Sequence, residues 1–151
     1  MRSDVDRPVA EQTDKYRAAL LERVAEWGVA RASVRATLPF ALVPKRPKRP
    51  EEGRRDKVRT GIHQSYRRYR PLVLTGRELF VFDTGRTPQP RELLARFPVD
   101  QVRVVSAAPG RFGTVTVVLD LPGEGPVPFE TGRREREDLT VLLAQLGGGS
   151  A

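Results

Sequence analysis

The chain has no cysteine and only one histidine, one tryptophan and one methionine among 151 residues. Without thiols, disulfides and thiolate metal sites are excluded. No run approaches the ~20 apolar residues that a membrane-crossing helix needs. The first residues, MRSDVDRPVAEQ, lack the apolar core of a signal peptide. A cytoplasmic protein, at most peripheral to a membrane, is therefore expected. No HExxH, P-loop or dinucleotide fingerprint is present. The single histidine, His63, stands two residues before Ser65. Sequence adjacency does not make a base–nucleophile pair, and a solvated loop histidine is the simpler reading. Glu135, Glu137 and Asp138 are interleaved with arginines, which reads as a salt-bridged helix surface. Asp83, Asp100 and Asp120 fall where strand ends and turns are expected. No catalytic residue, metal ligand or cofactor is assigned, and no enzyme activity is expected.

What the chain has in excess is arginine, 23 residues against four lysines. The net charge is +8. Residues 44–70 hold 11 Lys/Arg and three Asp/Glu, so the whole surplus lies in this one stretch. A concentrated cationic patch beside a neutral remainder suggests an anionic ligand. The candidate anion- or lipid-binding residues are Lys45, Arg46, Lys48, Arg49, Arg54, Arg55, Lys57, Arg59, Arg67, Arg68 and Arg70. Pro44, Pro47 and Pro50 lie among them, so the segment reads as a loop outside the core. Such a loop can also be merely soluble and bind nothing. Residues 54–70 interleave Tyr66 and Tyr69 with arginines, a pattern able to stack bases and meet phosphates. Single-stranded nucleic acid is thus the alternative ligand. Tyr16, Trp27, Tyr66 and Tyr69 are the candidate anchors for a protein partner.

Hydrophobic residues make up 38% of the chain, enough for one domain core. Residues 7–27 predict a helix: Asp6 caps it, Pro8 fits its first turn, and Gly28 stops it. Tyr16, Leu20, Val24 and Trp27 form one apolar stripe. Alternation over 29–43 predicts a strand with Ala30, Ala32, Val34, Ala36 and Leu38 on one face, broken near Pro39. From residue 71 short strands follow one another: PLVLT and ELFVFD around a Gly76-Arg77 turn, then ELLARFP, QVRVVSA, TVTVVLDL and VPFET. Glycine pairs in APGRFG and PGEGP read as turns. Leu139, Leu142, Leu143 and Leu146 mark an amphipathic final helix. Short sequential strands are expected to curl into a small antiparallel barrel or sandwich, with this helix as its plug. Burying four leucines contributes on the order of 6–10 kcal/mol, at ~1.5–3 kcal/mol each. The expected organisation is an N-terminal helical extension at 1–28, a domain at 29–147 and a tail at 147–151. Within the domain lie a first strand at 29–43, a basic insert at 44–70, further strands at 71–130 and a helix at 131–146.

The run LVLTGRELFVFD, then LLARFPVDQVRVV, GTVTVVLDL and VPFET before a Leu-rich helix, resembles the bacterial pleckstrin-homology-like domains, including the YokE-like type. The resemblance covers roughly residues 70–147, and 29–43 if they form the first strand. In such proteins the tight turn is often Asn/Asp-Arg-Arg; here it is Gly76-Arg77-Glu78. The resemblance implies a binding or adaptor domain without catalysis. It also places the basic segment between the first two strands, where the wider fold meets lipid phosphates. It names no ligand.

Overall fold

The computed structural model describes residues 7–44, 62 and 68–147, with side chains of the first helix from Lys15 onward. Helix α1 (Arg7–Ala25) leads to a 3-10 turn at Arg31–Ser33. Nine strands follow among the described residues: β1 (Val34–Leu38), β2 (Leu42–Val43), β3 (Arg68–Tyr69), β4 (Leu72–Thr75), β5 (Glu78–Thr84), β6 (Pro90–Pro98), β7 (Arg103–Pro109), β8 (Val115–Leu121) and β9 (Gly125–Thr131). A 3-10 turn at Arg133–Glu135 runs into helix α2 (Arg136–Gly147).

The strands form two antiparallel sheets, ordered β1-β4-β5-β6 and β3-β2-β9-β8-β7. Of the expected barrel or sandwich, the structure is the sandwich and not a closed barrel. The chain changes sheets at its irregular points. Residues 39–41 separate β1 from β2, and Arg70-Pro71 separates β3 from β4. Proline lacks the N–H that a continuous ladder needs, so Pro39 and Pro71 fall at these breaks. The two bent arms stay together through the corner, because Arg70 N–H donates to the Ala41 carbonyl at 2.7 Å.

The expected strand over 29–43 also starts later than its alternation suggested. Ala30 and Ala32 are exposed, and the ladder begins at Val34 opposite Thr75. Thr37 breaks the alternation because it is buried beside Ala36 and Leu38. Its N–H and Oγ1 both donate to Asp138 Oδ2, at 3.0 and 3.1 Å. A threonine can therefore sit inside, its polar atoms satisfied by the first turn of α2.

Apolar side chains of the two sheets, among them Leu72, Leu74, Leu79, Val117, Leu119 and Phe129, meet in the main core. Helix α2 seals it with Leu139 and Leu142, while Leu143 and Leu146 pack at its margin. The first sheet is covered on its other face too. Val73, Phe80 and Phe82 pack against Leu20 and Val24 of α1. This explains the unbroken apolar runs LVL and LFVF: strands buried on both faces lose polar alternation. Gly28 ends the helical region in the left-handed conformation at φ 82°, where glycine carries no Cβ penalty. Glu78 and Arg96 form a two-pronged pair across β5 and β6 at 2.7 and 2.9 Å. The Arg96 hydrogen bond and charge hold the Glu78 carboxyl below its ordinary range.

Candidate functional site

The cationic segment joins β2 to β3, and these strands are a hydrogen-bonded pair. Leu42 stands opposite Tyr69, and Val43 opposite Arg68. Its two ends thus leave one hairpin. Leu42 also pairs with Glu130 in antiparallel sense, so β2 runs toward the β8–β9 turn and away from the start of α2. Lys45, Arg46, Lys48, Arg49, Arg54, Arg55, Lys57, Arg59, Tyr66 and Arg67 lie outside the described residues. Ile62, from the middle of this stretch, is fully buried in the main core.

Two arginines assigned to the patch by sequence have other work. Arg70 is 1% exposed. Its Nη1 donates to Asp83 Oδ1 at 2.7 Å and to the Tyr69 carbonyl at 3.2 Å, and its Nε donates to the Ile62 carbonyl at 3.1 Å. A buried guanidinium needs such partners, because an unpaired charge in a core is very costly. Arg68 donates to the Thr84 carbonyl from Nη2 at 2.7 Å and from Nε at 3.1 Å. Its Nε also lies 3.8 Å from Asp83. Both fasten the end of β3 to β5, and Arg70, buried as it is, also holds the Ile62 carbonyl and is not placed for direct anion contact. Asp83, read from sequence as an ordinary strand-end aspartate, is the acceptor around which this joint is built.

The aromatic candidates divide. Tyr16 and Tyr69 both pack edge-on against Phe40, with ring centroids at 5.5 and 6.4 Å. They tie α1 and β3 to the corner between the sheets. Trp27 remains 49% exposed.

Two placements differ from or go beyond the sequence reading. Glu135, expected on a charged helix surface, is 1% exposed. Its Oε2 accepts from the Phe40 N–H at 2.6 Å, and its Oε1 from the Gly132 N–H at 3.4 Å. Burial pushes its pKa up to about 7; the two backbone hydrogen bonds oppose the rise, nearby Asp138 adds to it, and Arg17 opposes it. Phe112, by contrast, is 89% exposed at the β7–β8 turn. A groove of about 450 Å³ lies beside it, lined by Phe40, Thr114, Gly132, Arg133, Arg134 and Glu135. An open groove of about 560 Å³ near the β4–β5 turn is rimmed by Arg35 and Arg77.

Among the described residues, no group of three or more His, Cys, Asp or Glu side chains could hold a metal ion. Among them, too, no helix is long and apolar enough to cross a membrane. No family model matches the sequence, and no curated protein matches it.

Proposed function

We propose that the chain is a non-catalytic, pleckstrin-homology-like binding module that uses its cationic segment to engage an anionic membrane surface. The observation that carries this reading is the pairing of Val43 with Arg68. It brings the two flanks of the segment side by side on the sandwich. The order of elements is the one the resemblance implies: antiparallel strands in two sheets, followed by a C-terminal helix.

Composition favours a surface over a specific peptide. KRPKRPEEGRRDK, residues 45–57, contains no aliphatic or aromatic side chain apart from proline. It therefore offers charge without an apolar pocket. Each Lys or Arg near an anionic leaflet is worth about 1 kcal/mol, so several together hold a protein reversibly. The nucleic-acid alternative loses support, because Arg68, Tyr69 and Arg70 of its aromatic-basic motif make contacts inside the fold.

Co-sedimentation with lipid vesicles tests the reading. Retention is expected on vesicles containing phosphatidylserine, with loss on pure phosphatidylcholine and at about 1 M salt, where the Debye length falls to ~3 Å. A variant with Lys45, Arg46, Lys48, Arg49, Arg54, Arg55, Lys57 and Arg59 all changed to Gln should no longer sediment. Equal retention on neutral vesicles, or none on either, refutes the proposal.

A further inference from the structure

The groove beside Phe112 lies where the β7–β8 turn meets the turn into α2. Val115 pairs with Thr131, which brings the β7–β8 turn next to the turn leading into α2. Phe112 adopts φ 59° and ψ 32° there. The left-handed conformation is costly for a non-glycine residue, and here it holds an apolar ring out in solvent. Gly113 follows at φ 78°. A Cβ on Gly113 would collide with Cγ and Cδ of Arg133, so the missing side chain lets the Arg133 stem lie across the turn. Arg111, Arg133 and Arg134 are all exposed. None of the three has an ion pair or side-chain hydrogen bond among the described residues. Exposed Arg133 and Arg134 line the groove together with Phe112 and half-buried Phe40, and Arg111 directly precedes Phe112 in the same turn.

We propose that this groove docks an acidic segment of a protein partner, with Phe112 as the apolar contact and Arg111, Arg133 and Arg134 as carboxylate receptors. Guanidinium forks match carboxylates in two-pronged geometry. Exposed aromatic and arginine side chains together are the usual anchors of protein interfaces. The net charge of +8 on each copy disfavours a second copy of this chain as the occupant. A flat bilayer fits poorly between two turns enclosing about 450 Å³. This inference is independent of the membrane reading, since it uses residues other than those of the cationic segment.

The test is a random-peptide display selection on the immobilised full chain, followed by anisotropy titrations of the selected peptides. Enrichment of Asp and Glu beside apolar residues is expected. Phe112→Asn, and separately the double change Arg133→Ala with Arg134→Ala, should each weaken binding by about tenfold or more. Asn tolerates the left-handed conformation, so the Phe112→Asn protein should melt at or above the temperature of the parent. The Gln-substituted cationic segment should bind these peptides as the parent does. Three results would overturn the proposal: no acidic enrichment, binding unchanged by both groove variants, or binding lost only when the cationic segment is neutralised. Loss of phosphatidylserine-vesicle binding on Phe112→Asn would also overturn it and assign the turn to membranes.

Discussion

Glu135 makes the stability of this protein depend on pH in a direction opposite to that of most carboxylates. It is 1% exposed, and burial raises its pKa from 4.5 to about 7. In the unfolded chain the same carboxyl titrates near 4.5. Between these values the native state holds a proton that the unfolded state has released. Stability from this group is therefore fully present below about pH 4.5, declines as pH rises, and is lost above about pH 7. A shift of about 2.5 units at ~1.4 kcal/mol per unit gives about 3 kcal/mol, as an order of magnitude. Changing Glu135→Gln removes the titration but keeps an oxygen to accept the Phe40 N–H, a bond of 2.6 Å in the parent. Urea unfolding of both proteins from about pH 5 to about pH 8 isolates the group, since other titrating residues cancel in the difference. The Gln variant should gain about 2–3 kcal/mol on the parent across that range. A difference that stays constant with pH would mean that Glu135 is ionised in the fold throughout, and the burial argument would fail.

Two further changes test the architecture. Arg70→Met removes the 2.7 Å hydrogen bond to Asp83 and the one to the Ile62 carbonyl; urea unfolding should show a loss of about 3–5 kcal/mol, and a loss below about 1 kcal/mol would refute a structural role for Arg70. Leu142→Ala, at a position 1% exposed under α2, should cost about 2–5 kcal/mol, while deletion of 133–146 should abolish the cooperative melt; a cooperative transition in the truncated chain would show that α2 is dispensable.

The strands after residue 71 were legible because their spacing and turns are local signals. Val117 and Leu119 point inward as their alternation requires, and Leu139 and Leu142 do so at helical spacing. The choice between barrel and sandwich was not legible. It depends on where two distant arms bend together, at 39–41 and at 70–71, and no local period encodes that joint. The identities of the buried charges were hidden for the same reason. Glu135 sits in RREREDL, where every neighbour argues for solvent; its burial follows from the Phe40 N–H that needs an acceptor 95 residues away in sequence. Phe112 left a fainter trace, as the one large apolar residue in the turn APGRFG. An aromatic at a turn tip has no core to enter, and that alone marks it as exposed.

The same physics sorts the arginines by role where sequence alone groups them by charge. Arg70 is held by one carboxylate and two carbonyls in a dry joint, and its cost of burial is offset only because all three acceptors are in place. Arg96 lies over the Phe80 ring at 5.0 Å and pairs with Glu78, which fixes it to the sheet at the surface. Arg111, Arg133 and Arg134 are exposed and lack such partners among the described residues. A guanidinium that already satisfies a carboxylate has little left to offer a ligand, whereas an unpaired one loses nothing but water on binding. The surplus of charge in residues 44–70 therefore overstates the cations available there, since Arg68 and Arg70 are already engaged. The charge-balanced remainder understates what it can recognise, because that balance conceals exposed Arg111, Arg133 and Arg134 near the exposed Phe112 turn, without ion pairs among the described residues.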